Sequence, residues 1–238
     1  MASVRETLEG LETRGVGRAR ADRVFFSVLA LICAVTILGG FTPTFYLRES
    51  LSPAAAPLGT IVVIHGAVFT TWVVLFIAQT ALISARRREL HRRLGLAGIA
   101  VVAAMVAIGI PLIAGFERGH GAEPPLTLAV HLLGNVAPLT LFAGFAIAGV
   151  AWRRQPDVHK RLMLFTTLAL QPAGFARLIG FLGISQNVNI PCFTVLCALP
   201  AIYDFCTDRR VRPVSLVGFG TLVGFAYVTD WLFDYIGS

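Results

Sequence analysis

Residues 58–94 read LGTIVVIHGAVFTTWVVLFIAQTALISARRRELHRRL. The apolar run from Leu58 to Ser84 exceeds the roughly 20 residues that a helix needs to cross hydrocarbon. It stops at Arg86, Arg87 and Arg88, and a second apolar run opens after Arg92 and Arg93. His65 lies inside the first run, and His91 stands at the threshold of the second. Ionisable groups are costly in a membrane segment, so histidines in such places are candidate functional residues.

Working outward, the same pattern recurs along the chain. Apolar runs cover 24–46, 58–84, 94–115, 125–152, 162–183, 189–206 and 214–234. The chain is 56% hydrophobic and 14% charged, against about 25% charged in soluble domains. These features predict an all-α integral membrane protein with seven transmembrane helices. Residues 1–22 form a cytoplasmic tail, and 23–238 form one transmembrane domain whose partner is the lipid bilayer. The tail alternates Arg with Glu and Asp, which reads as a solvated segment with at most a short interfacial helix. The first apolar run is too long for the core of a cleavable signal.

Of the 20 basic residues, all but three fall in alternate connections. Arg5, Arg14, Arg18, Arg20 and Arg23 precede the first span. Arg86, Arg87, Arg88, Arg92 and Arg93 separate the second from the third. Arg153, Arg154, Lys160 and Arg161 separate the fourth from the fifth, and Arg209, Arg210 and Arg212 the sixth from the seventh. Arg48 and Arg118 belong to the opposite side, and Arg177 to a span interior. Short basic loops stay in the cytoplasm, which places the N-terminus inside and the C-terminus outside. The net charge of +7 is then a topology signal. It argues against a nucleic-acid surface, because the arginines are divided among short loops.

The four cysteines, Cys33, Cys192, Cys197 and Cys206, lie in apolar runs without Cys-x-x-Cys spacing, as thiols acting as small hydrophobes do. Pro111, Pro138, Pro172 and Pro200 also lie in apolar runs, where each is predicted to kink its helix or free a carbonyl.

A parallel repeat covers spans two to five. Each half reads as a span with a histidine, a basic loop, then His-basic-basic-Leu and another span: His65 and His91, then His131 and His159. This predicts a four-helix core over 58–183, with the first, sixth and seventh spans peripheral. At 1.5 Å per residue, His65 and His131 lie about 9–10 Å below the outer ends of spans two and four. His91 and His159 mark the inner ends of spans three and five. Alternate helices of a square bundle are diagonal, about 14 Å apart when neighbours pack at about 10 Å. That separation suits two imidazoles with an iron between them. Candidate anionic-group partners are Arg92, Arg93, Lys160 and Arg161 beside the inner pair. Arg177 lies level with the outer pair, where it is placed either to bind a carboxylate or to pair with Asp230. Asn135, one turn from His131, is placed to orient a ligand.

This layout resembles the two-haem b-type cytochromes that carry electrons from ascorbate to ferric iron across membranes. In that family four central helices supply four histidines, paired first with third and second with fourth. The resemblance implies an outer haem b on His65 and His131 and an inner one on His91 and His159. One departure stands out: His91 and His159 lie at helix ends among basic residues, whereas that family's ligands sit within the bilayer. The strings HGAVFTTW (65–72), HRRLG (91–95) and DVHKRLM (157–163) resemble uncharacterised predicted bacterial membrane proteins. Distantly similar histidine-bearing proteins assist assembly of haem–copper oxidases. This second resemblance implies a multi-pass protein of the bacterial inner membrane.

Three functional readings follow. The first is a haem b electron carrier with a quinone or cytoplasmic donor. The second is a non-enzymatic factor for respiratory-complex assembly, or for handling haem or metal, with respiratory-complex subunits as partners. The third is a small-solute or lipid transporter. Each histidine also has a plainer role open to it. His65 and His131 are placed to make helix–helix hydrogen bonds, and His91 and His159 to anchor at the interface. Tyr203 and Asp204 sit where they serve either a proton path or a helix end. No catalytic motif for soluble chemistry is present.

Overall fold

The computed structural model describes residues 2–54, 56–119 and 124–237, with side chains described from 17 to 54, 56 to 115 and 124 to 236. The side chains of Arg5, Arg14 and Arg118 lie outside the described residues. Within them the chain is all-α. The helices are α1 (Ala2–Phe41), α2 (Arg48–Leu51), α3 (Thr60–Ser84), α4 (Arg88–Gly119), α5 (Pro125–Ala151), α6 (Pro156–Leu168), α7 (Gln171–Phe181), α8 (Asn189–Asp208) and α9 (Pro213–Gly237). A π-helical turn, Thr42–Tyr46, joins α1 to α2. Six helices are long and apolar enough to cross a membrane, and a bent α6–α7 pair makes a seventh when counted as one span.

The seven runs read from sequence match these helices closely, but three boundaries differ. No break separates tail from span at residue 22, because α1 continues as one helix from Ala2 to Phe41. α4 and α6 begin six residues before their apolar runs, at Arg88 and Pro156. Proline is well suited to the first turn of α6, where its missing N–H has no intrahelical acceptor in any case. His91 and His159 therefore sit in the first turns of their helices, each as the fourth residue.

The predicted fifth span is two helices, α6 and α7, meeting at 47°. Pro172 is the cause. It has no N–H to offer Leu168, four residues back, and its ring crowds that carbonyl. Pro111, Pro138 and Pro200 lie inside continuous helices.

The helix ends show how the turns are made. Arg87 N donates to Leu82 O at 2.8 Å and Arg86 N to Ile83 O at 3.0 Å, with Arg86 at φ 60°. The same closure ends α7, where Ile184 N reaches Ile179 O and Gly183 has φ 68°. Both are left-handed caps that satisfy the last carbonyls.

The core corrects the expectation that spans two to five form the centre and the first span the rim. α1 contributes Leu29, Ala30, Cys33, Ala34 and Ile37 to the buried core, beside Leu164, Phe165 and Leu168 of α6 and Phe193 and Cys197 of α8. What draws a helix inward here is small-residue spacing rather than histidine content. α1 crosses α7 so closely that a Cβ on Gly40 would overlap the Gly174 carbonyl, and one on Gly174 would come within 2.9 Å of the Ile37 Cα. At the same crossing the buried Gln171 Nε2 donates to the Cys33 carbonyl at 3.0 Å. Cys33 and Cys197 are buried, and Cys192 and Cys206 are exposed. Trp72 is buried and packs edge-on against Phe142 at 5.1 Å, whereas Trp152 and Trp231 are exposed.

Candidate histidine site at the basic end

α3 packs on α4 and α5 on α6, so each half of the sequence repeat folds as a helix pair. The two His-basic-basic-Leu motifs open the second helix of each pair. The structure brings them together: the His91 and His159 rings stand 6.2 Å apart between centroids, close to perpendicular at 83°. The His159 ring is steadied by the helix preceding its own. His159 Nδ1 bonds the Gly149 carbonyl of α5 at 2.7 Å, and the Gln79 backbone of α3 faces His91.

Two polar atoms here are left over. His91 Nδ1 and Gln79 Oε1 are buried without a hydrogen-bond partner. The Gln79 amide lies against Gly95, one turn along α4 from His91. Buried polar atoms are almost always satisfied, so an orphaned imidazole nitrogen points to a water, ion or ligand at that atom. A neutral imidazole with one nitrogen held by a carbonyl can present the other to a metal. Two imidazoles on opposite sides of one ion at about 2 Å per bond have centroids about 6 Å apart, the spacing found here.

The basic side chains beside this pair are largely committed elsewhere. Arg161 is buried and forms an ion pair with Asp204, which is also fully buried. Asp204 further accepts from Ser215 Oγ at 2.6 Å and from the Arg212 N–H at 3.2 Å. Arg161 Nη1 donates to the Asp157 carbonyl at 2.7 Å. Lys160 binds Asp22 at 2.6 Å and Asp157 at 2.7 Å. Tyr203 donates its hydroxyl to Asp22 at 2.6 Å, and its ring stacks on Phe25 at 4.1 Å. Arg212 reaches Asp208 at 2.9 Å, and Asp208 also pairs with Arg18. The network sets Asp22, Asp157, Asp204 and Asp208 against Arg18, Lys160, Arg161 and Arg212, and so balances in charge. It joins α1, α6, α8 and α9 at one end of the bundle.

This revises the expected roles of several residues. Lys160 and Arg161 spend their charge on protein carboxylates and are not spare partners for haem propionates. Arg92 and Arg93 are exposed and lean back on Glu89, at 4.0 and 3.0 Å. Asp204 and Tyr203 do more than end a helix: they anchor the network.

The outer residues do not converge in the same way. The His65 ring lies against Phe69 of its own helix at 6.0 Å, and the His131 ring against Phe233 of α9 at 5.4 Å. Neither histidine is in ring contact with the other. Asn135 Nδ2 donates to the His131 carbonyl at 2.9 Å, so it serves its own helix backbone rather than an imidazole. Arg177 does not pair with Asp230. Its Nη1 donates to the Ala173 carbonyl at 2.9 Å, and its guanidinium lies 4.6 Å from the Phe41 ring centroid. A cation over an aromatic face satisfies part of the charge that an ion pair would have satisfied.

Among the described residues, no three His, Cys, Asp or Glu side chains gather as a metal-binding group. A two-haem arrangement fits poorly on two counts: the His65 and His131 rings do not meet each other, and Lys160 and Arg161 are held by protein carboxylates. A two-imidazole site with open positions fits the inner pair. Gln79 and Asp22 are the residues that reading the motifs missed. Gln79 was detectable as a lone amide in the apolar run FIAQTALIS, and Asp22 as the last acid before the first span.

Comparison with family models, with curated proteins and with solved structures gives no match to this chain.

Proposed function

We propose that the chain is a non-enzymatic membrane factor that takes up and passes on a transition-metal ion at His91 and His159. The observation that carries this reading is the meeting of the two repeated histidines at 6.2 Å beside an unpartnered His91 Nδ1. Imidazole nitrogen suits copper, zinc, iron and nickel. Two protein ligands with vacant coordination positions suit transfer better than permanent storage, because an incoming partner can add a ligand before the first two release. The charge-balanced network holds α6, and with it His159, against α1, α8 and α9.

We place this end on the cytoplasmic face of a bacterial inner membrane, which the distribution of arginines supports. A haem b electron carrier is the competing reading, and the same experiment separates the two. Purified full-length protein is titrated with Cu(II), Zn(II) and haem in parallel, alongside His91→Ala and His159→Ala. The proposal expects about one ion bound per chain and a loss of at least about tenfold in affinity for either variant. A stable haem Soret band lost in both variants, without ion binding, selects the electron carrier. Neither ion nor haem binding removes both.

A further inference from the structure

A second site lies away from the histidines, where α1 and the end of α3 leave the apolar zone together. A groove of about 460 Å³ is lined there by Arg20, Arg23, Val24, Ser27, Val28 and Ser84. Arg20 and Arg23 are three residues apart on one helix face and directly precede the apolar run of α1. Neither has a carboxylate partner among the described residues, although Arg18 and Lys160 nearby are fully paired. Ser27 and Ser84, both lining the groove, hydrogen-bond to each other at 2.9 Å. One of these hydroxyls donates to the other, which leaves the second with a proton to give elsewhere. Below the polar mouth, Val24 and Val28 continue into Leu31 and Val35, all exposed along one stripe of α1.

We infer that this groove holds an anionic phospholipid, with its phosphate on Arg20 and Arg23 and an acyl chain along Val24, Val28, Leu31 and Val35. Guanidinium pairs are suited to phosphate oxygens. The polar and apolar parts follow each other in the order that a lipid presents them: charge at the helix threshold, hydrocarbon below it. Free phosphate shares the headgroup chemistry but makes no use of the stripe. The inference does not depend on the metal-handling reading, since it uses none of the same residues.

Native mass spectrometry of the full chain in detergent tests it, with phosphatidylglycerol, phosphatidylcholine and inorganic phosphate as probes. Each arginine near the surface should favour the anionic lipid by about fivefold, so Arg20→Gln/Arg23→Gln should weaken phosphatidylglycerol by about twenty-fivefold. Phosphatidylcholine should show no such change, and Arg153→Gln/Arg154→Gln should keep wild-type binding. The inference is overturned by equal retention of the two lipids in wild type or by unchanged binding in Arg20→Gln/Arg23→Gln. An equal loss in Arg153→Gln/Arg154→Gln overturns it as well. Inorganic phosphate bound as tightly as the lipid overturns the lipid assignment.

Discussion

Arg161 and Asp204 stand 43 positions apart in the chain, yet they meet as an ion pair with 1% and 0% of their side chains exposed. Their burial makes the pair sensitive to the loss of either partner. An isolated charge in a low-dielectric interior has no compensation, and breaking such a pair costs about 3–5 kcal/mol. Asp204→Asn and Arg161→Met are each predicted to lower the unfolding midpoint sharply. The double variant Arg161→Met/Asp204→Leu should recover part of the loss, because two apolar side chains leave neither of these two charges stranded, while Ser215 Oγ and the Arg212 N–H still lose their acceptor. Circular dichroism melts in detergent measure this, and a double variant less stable than either single would contradict it.

The α1–α7 crossing depends on the absence of side chains at Gly40 and Gly174. Gly174→Val forces atoms into the Ile37 backbone and is predicted to cost about 1–3 kcal/mol through overpacking. Gly224→Ala is the control, since a Cβ there meets nothing within 4 Å. Equal thermal stability of the two variants would show that the helices are not in close contact.

Orientation is tested with reporters rather than stability. Alkaline phosphatase fused after Ser238 is predicted to be active, and the same enzyme in the Arg153–Arg154 connection inactive. The reverse pattern would place the basic end outside and contradict the cytoplasmic placement of the histidine pair.

The outer histidines provide a contrast with the inner ones. His65→Ala and His131→Ala are predicted to leave metal affinity within about twofold of wild type, because their rings face Phe69 and Phe233. Isothermal titration with Cu(II) reads this directly. A loss as large as that of His159→Ala would restore the outer pair as ligands.

Much of this architecture was legible in the chain. Apolar runs and arginine clusters marked the helices because hydrocarbon thickness and backbone hydrogen bonding leave few alternatives. The pairing of α3 with α4 and of α5 with α6 was visible as the histidine repeat. Two kinds of information were not. The place of α1 at the core depends on Gly40 meeting Gly174, a contact between residues 134 positions apart that spacing within one helix does not announce. The partners of Lys160 and Arg161 were hidden for a similar reason. Local sequence shows two cations beside a histidine, but the carboxylates that neutralise them, Asp22 and Asp204, arrive from α1 and α8. Pro172 was recognised as a kink. The full 47° break at that proline is a property of the packed α6–α7 pair that the local sequence does not announce.

The central claim is that His91 and His159 together hold one metal centre. Electron paramagnetic resonance of the full-length protein loaded with one equivalent of Cu(II) tests it most directly. Wild type is predicted to show hyperfine splitting from two equivalent imidazole nitrogens, falling to one in His91→Ala and in His159→Ala. A spectrum without nitrogen coupling, or one unchanged by both substitutions, would contradict the account.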